Sequence, residues 1–168
     1  MKEKNSKSTA LFLAHGAIIA AMYVALTLIF APISYGAVQV RIAEVLTILP
    51  LFTPAAIPGL FIGCIIANGI GGGIILDVVF GSLATLIGAV LGYLLRFNRW
   101  LVPIPAIVSN SIIIPFVLKY GYGIDIPIWL MMIYIAIGEI IGCYALGELF
   151  ASLLLKRKDI RNLFKTDQ

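Results

Sequence analysis

The chain has 168 residues, the length of one ordinary domain, yet 61% are hydrophobic and only 12% are charged. Soluble domains run near about 45–50% apolar and about 25% charged, so with a mean hydropathy of +1.07 a soluble or disordered chain is excluded. An all-α integral membrane protein remains, and the net charge of +4 does not point to nucleic acid, because ten of the twelve cations flank apolar stretches on one side.

Residues 1–9 carry Lys2, Lys4 and Lys7 and precede an apolar run over about 10–33. That run is longer than the roughly 7–15 apolar residues of a signal peptide and suits a helix crossing the membrane. After a short loop at 34–40, residues 41–71 stay apolar but contain Pro50, Pro54 and Pro58. Three prolines so close forbid one continuous helix, and the spacing predicts two short ones, about 42–52 and 55–69, with a tight turn near Thr53. Gly69, Gly71, Gly72 and Gly73 make the next turn. A fourth helix is predicted over about 74–96 and a fifth over about 100–118, whose Pro103 and Pro105 sit where a helix start tolerates them. A loop through Gly121, Gly123 and Asp125 leads to a sixth helix, about 128–155, and a basic tail, 156–168, closes a single membrane domain.

Counting Lys and Arg between the spans sets the orientation. With both termini cytoplasmic, the inner side holds Lys2, Lys4, Lys7, Arg96, Arg99, Lys156, Arg157, Lys158, Arg161 and Lys165, and the outer side only Arg41 and Lys119. Helices two, four and six then start at the outer face. Glu44 and Asp77 fall within about one turn of it, Asn68 reaches it from helix three, and Gln39 and Arg41 close the loop above. Asn110 and Glu139 lie near the midplane, about 10 and 11 residues into their helices at 1.5 Å per residue.

An intramembrane carboxylate is costly, about 2.5–3.5 kcal/mol on insertion scales, and so marks a functional site. Other roles stand beside that one. Glu139, Asn68 and Asn110 also suit interhelical hydrogen bonds, Asp77 a place at a helix N-terminus, Arg41 and Glu44 a mutual pair three residues apart, and Gln39 a solvated loop. His15, the single histidine, reads as packing or an interfacial residue, and Glu148 as a headgroup-level residue that is solvated or paired with the tail. Asp125 fits a turn or a lid. Trp100, Trp129, Tyr120, Tyr122 and Tyr134 fit an aromatic belt, while loop aromatics such as Tyr35 also suit stacking on a ligand. Cys64 and Cys143, 79 positions apart in apolar runs, read as core residues rather than a disulfide. No metal site is predicted.

The sequence has no G-x-x-x-x-G-K-[ST], H-E-x-x-H or G-x-S-x-G motif. Binding or transport therefore leads, without cofactor. An intramembrane enzyme using Glu139 and Asp77 as acid and base, and a solitary gradient-driven permease, are the rival readings; the permease lacks visible repeat architecture. Three carboxylates face one Arg and three amides, so the site disfavours anions and suits a small, flat, neutral or cationic molecule with several N–H donors.

The stretch Tyr35-Gly36-Ala37-Val38-Gln39-Val40-Arg41-Ile42-Ala43-Glu44, then Leu49-Pro50-Leu51-Phe52-Thr53-Pro54 and Ile57-Pro58-Gly59-Leu60-Phe61-Ile62-Gly63-Cys64, resembles the QueT family. So do Ala67-Asn68, Asp77-Val78-Val79-Phe80-Gly81-Ser82, Asn110 and Gly138-Glu139. The resemblance covers about residues 10–155. It implies the six-helix fold of a substrate-binding S component of an energy-coupling factor (ECF) transporter in a prokaryotic cell membrane, working with a T protein and two ATPases. It implies a queuosine precursor as ligand, an aminomethyl-deazaguanine or queuine, with another small cationic or neutral vitamin-like compound as alternative. Ligand roles then fall on Gln39, Arg41, Glu44, Asn68, Asp77, Asn110 and Glu139. The same resemblance implies T-protein docking through Ala17, Ala21 and Ala25, a small-residue stripe at four-residue spacing that would otherwise suit packing inside the bundle.

Overall fold

The computed structural model describes residues 2–34 and 40–157, with side chains from residue 8 onward. Tyr35, Gln39 and the basic tail beyond Arg157 lie outside the described residues, within which the chain is helical and has no strand. In chain order come α1 (Lys2–Ile29), a kink at Phe30, the short α2 (Ala31–Ser34), a 3-10 helix (Ile42–Leu51) and α3 (Ala56–Ile70). A π-helical turn (Asp77–Gly81) opens α4 (Ser82–Leu94), and a 3-10 turn (Arg99–Leu101) precedes α5 (Ile104–Gly121). Finally α6 (Ile128–Glu139), a π-helical stretch (Ile140–Leu146) and α7 (Gly147–Lys156) follow one another as one rod.

Among the described residues four segments are long and apolar enough to cross a membrane: Ser8–Ile29, Asp77–Leu94, Arg99–Gly121 and Ile128–Lys156. Large apolar side chains are exposed along all of them, for example Leu13, Ile29, Leu94, Val108 and Ile137, as lipid-facing surfaces require. The two short helices expected from the prolines are present. At 2.0 Å per residue the ten-residue 3-10 helix spans only about 20 Å, and the fifteen-residue α3 about 22 Å, both short of a hydrocarbon core about 30 Å thick. Their joint lies at Thr53 as expected, where the Ala55 N–H donates to Thr53 Oγ1 at 3.1 Å. The turn after α3 needs Gly72, whose φ of +83° is open only to glycine at low cost.

The 3-10 helix is the hub of the bundle, packed against α1, α3, α4, the π stretch of the last rod and α7. Its apolar side chains Ala43, Leu46, Ile48, Leu49 and Phe52 join Tyr23, Leu60, Cys64 and Val102 in one core. Around it, α1 lies unusually close to α3. A Cβ on Gly59 would stand 2.7 Å from the Gly16 carbonyl oxygen, and one on Gly63 2.9 Å from Tyr23 Cβ. Only glycine permits that approach. The face of α1 turned inward therefore carries Gly16, Ala20, Tyr23 and Thr27, whereas Ala17, Ala21 and Ala25 are all exposed. Packing of that alanine stripe inside the bundle is overturned.

Candidate functional site

The 3-10 geometry turns a sequence spacing into a polar line. Side chains three apart eclipse one another in a 3-10 helix, so Arg41 at its N-terminus, Glu44 and Thr47 stack along one edge. All three are buried: Arg41 is 4% exposed, Glu44 0% and Thr47 2%. Thr47 Oγ1 donates to the Glu44 carbonyl at 2.6 Å, which ties the line to its own backbone. From α1, Tyr23 O–H donates to Glu44 Oε1 at 2.6 Å. Arg41 lies within electrostatic reach of Glu44, Tyr23, Cys64 and Asp77.

Opposite this line stands Glu139, the last residue of α6, where the helix widens into the π stretch. Asn110 Nδ2 of α5 donates to Glu139 Oε1 at 3.0 Å, and Cys143 Sγ, one turn further on, donates to Oε2 at 2.9 Å. One oxygen each from Glu44 and Glu139 and the Cys143 sulfur lie within 4.8 Å of one another. Such a trio has the atoms to hold a metal ion; within it the Cys143 thiol donates to Glu139, while Glu44 accepts from Tyr23. Glu139 is 11 positions from the start of α6 at Ile128, about 16 Å along the axis. Glu44 stands at the same level, deep inside the bundle. Arg41 likewise is buried beside the acids, not laid across them as a loop.

A second group adjoins the first. Asn68 Nδ2 of α3 donates to the Asp77 carbonyl at 3.2 Å and reaches Cys64 Sγ at 3.5 Å. Thr85 Oγ1 of α4 also reaches that sulfur, at 3.4 Å. Asp77 opens the π turn, is 4% exposed, and accepts from Tyr122 O–H at 3.2 Å. The same hydroxyl accepts the Ile74 N–H at 3.2 Å. Partial burial pushes the Tyr122 phenol above its ordinary range, and the Asp77 charge adds to this. The two groups are joined through Arg41, which senses Asp77 as well as Glu44.

Six of the seven residues expected to meet a ligand are thus gathered from five helical segments, while Gln39 lies outside the described residues. Asn68 and Asn110 do tie helices together, yet each keeps its carbonyl oxygen buried with no hydrogen-bond partner, as does Glu44 Oε2. An unsatisfied buried polar group costs about 1–3 kcal/mol. Three such acceptors, on three different helices, give the site a standing demand for N–H donors. With Glu44, Glu139 and Asp77 against Arg41, it also favours positive charge.

Tyr23, Thr47 and Cys143 are members of the network that the sequence reading passed over. Cys143 carried a signal, since it lies one helical turn beyond Glu139. Tyr23 carried a weaker one, at helical spacing from Gly16, Ala20 and Thr27. Elsewhere, Cys64 and Cys143 are free thiols and His15 is buried. Asp125 stands 3.9 Å from Lys119. Glu148 pairs with Arg99 at 3.1 Å, and the tail beyond Arg157 lies outside the described residues.

The chain matches the QueT family, described as QueT transporter, over residues 13–156. It is similar to the queuosine precursor transporter QueT of Lactococcus lactis subsp. cremoris (strain MG1363), 41% identical over 86 residues, which are 50% of this chain and 50% of that relative. The chain spans about half the length of the curated relative it matches. No solved structure matches it significantly.

Proposed function

The chain belongs to the QueT transporter family, and we propose that it is the substrate-binding S component of an ECF-type uptake transporter for a queuosine precursor. In this reading the protein is one multi-pass domain of the cell membrane, with six helices, the two short ones included, and both termini cytoplasmic. It is not itself an enzyme: a T protein and two ATPases supply the energy. The observation that carries the ligand assignment is the trio of buried acceptors, Glu44 Oε2, Asn68 Oδ1 and Asn110 Oδ1, beside a carboxylate pair. A deazaguanine offers ring N–H and amino donors to such acceptors, and an aminomethyl substituent offers a cation to the acids. Gln39, Arg41, Glu44, Asn68, Asp77, Asn110 and Glu139 are its contacts, Tyr23 and Cys143 hold the two glutamates in place, and Ala17, Ala21 and Ala25 form the docking face for the T protein.

Calorimetric titration of the purified protein tests this. An aminomethyl-deazaguanine is expected to bind more tightly than guanine, and more tightly than a carboxylate-bearing analogue of equal size by at least about tenfold, the worth of one charged hydrogen bond. Equal binding of the cationic and anionic analogues would overturn the acidic-site argument. A gradient-driven permease would instead transport with this chain alone in vesicles, whereas an S component needs its partners and ATP.

A further inference from the structure

The strongest feature that substrate binding leaves unused lies at the opposite end of the bundle. A cavity of about 630 Å³ opens where three long segments reach their ends, at Leu94, Arg99 and Lys156. Its walls include Arg96, Arg99 and Trp100 from the α4–α5 connection, and its apolar side is made by Leu51, Phe52 and Leu155. Segment ends of this kind stand at the level of lipid headgroups.

The two arginines differ in what they already hold. Arg99 lies over the Trp100 ring at 4.4 Å, pairs with Glu148 at 3.1 Å and reaches Ser152 Oγ at 3.4 Å, so its charge is compensated within the protein. Arg96 stacks on Tyr93 at 4.1 Å and has no carboxylate partner among the described residues. Its Nη1 is buried without a hydrogen-bond partner; Arg99 Nε also lacks one, but it has the Glu148 carboxylate beside it and Arg96 does not. A guanidinium with a desolvated, unsatisfied N–H matches a phosphate oxygen in charge and geometry. Lys156 and Arg157, both exposed, follow the wall residue Leu155 in the chain.

We propose that this cavity is a seat for the phosphodiester headgroup of an anionic phospholipid, held by Arg96, with the glycerol and first acyl carbons against Leu51, Phe52 and Leu155. A soluble phosphate ester shares the headgroup's charge and could engage Arg96, but it gains nothing from an apolar wall that opens beside the exposed rings of Phe97 and Trp100. That is the reason to favour the lipid. Basic pockets between membrane helices recognise anionic headgroups in this way.

Trp100 is the reporter. The chain has two tryptophans, so Trp129→Phe, a change at the far end of the bundle, leaves Trp100 alone. The protein is reconstituted in phosphatidylcholine vesicles containing a minor fraction of brominated phosphatidylglycerol or, in parallel, the same fraction of brominated phosphatidylcholine. One cation near a headgroup gives about fivefold local enrichment, so the phosphatidylglycerol arm is expected to quench Trp100 several times more strongly. Arg96→Gln should make the two arms equal, and Arg96→Lys, which keeps the charge, should retain a partial preference. Equal quenching in the parent overturns the proposal. So does loss of the preference on adding inorganic phosphate, which would reassign the cavity to a soluble anion, and so does an undiminished preference in Arg96→Gln.

Discussion

Replacing Glu139 by glutamine tests the site at its most informative atom pair. The carboxylate accepts from Asn110 Nδ2 at 3.0 Å and from Cys143 Sγ at 2.9 Å. Glutamine keeps one carbonyl oxygen for the Asn110 amide and turns its NH₂ toward the sulfur, so the helix-to-helix tie survives and only the weak thiol bond is lost. The charge disappears. A hydrogen bond to a charged group is worth about 1.5–3 kcal/mol, which predicts a loss of affinity for an aminomethyl-deazaguanine of about tenfold to a hundredfold. The apparent melting temperature should stay close to that of the parent. An acid-to-amine contact also requires that the loss depend on the ligand's amine. Titrating parent and Glu139→Gln with the aminomethyl compound and with an analogue carrying an uncharged substituent completes a double-mutant cycle. A coupling near zero, with both ligands weakened alike or neither, would refute an acid-to-amine contact. It would leave Glu139 as a strut between α5 and α6.

Three further substitutions examine the frame around that contact. Tyr23→Phe removes the donor 2.6 Å from Glu44 Oε1 while keeping the ring's packing, and should lower stability by about 1–3 kcal/mol and weaken ligand binding severalfold; an unchanged thermal midpoint would show that Glu44 is held otherwise. Gly63→Ala puts a methyl group 2.9 Å from Tyr23 Cβ and 3.0 Å from the Ala20 carbonyl oxygen, forcing α1 from α3 at about 1–3 kcal/mol; thermal unfolding at the parent's temperature would contradict the close contact. Ala21→Trp, on the exposed stripe, should leave ligand affinity within about twofold, since about 0.4 kcal/mol is all that such a change represents, yet abolish co-purification with the T protein and ATP-driven uptake. A variant that still assembles and transports would remove the docking assignment.

How far the sequence could be read depended on which physical rule governed each element. Long membrane helices have a fixed rise, so counting residues placed Asn110 and Glu139 at a common depth, and they meet at 3.0 Å. Prolines announce breaks, and the joint at Thr53 followed from Pro50, Pro54 and Pro58. The inner face of α1 was not legible by periodicity, because one side of that helix meets lipid and the other meets protein and both are apolar. Only the small residues hinted at it, and they occur on both sides, Gly16 and Ala20 inward and Ala17, Ala21 and Ala25 outward. Tyr23 was hidden for the same reason. The π-helical segments after Leu76 and after Glu139 had no sequence signature at all, being backbone adjustments that follow from tertiary packing.

Helix type, more than residue choice, decides the character of the site. In an α-helix each residue turns the side chain by 100°, so Arg41 and Thr47 would point about 120° apart, and one of them would leave the line that Glu44 shares. In the 3-10 helix Glu44 and Thr47 superpose, and Arg41, the residue that caps it three positions before Glu44, extends the line, so that this one segment and its cap deliver an arginine, a glutamate and a threonine to the middle of the bundle. Long 3-10 helices are unfavourable in isolation. This one is enclosed by α1, α3, α4 and the last rod, and its Pro50 has no N–H to offer an α-helical bond. The carboxylate across from it enters where the last rod widens into a π stretch, and Asp77 itself opens the other π segment. Both departures from α geometry, the tightened helix and the widened ones, fall where acids enter the membrane interior, a conjunction expected if backbone regularity is given up to aim charged groups at one ligand.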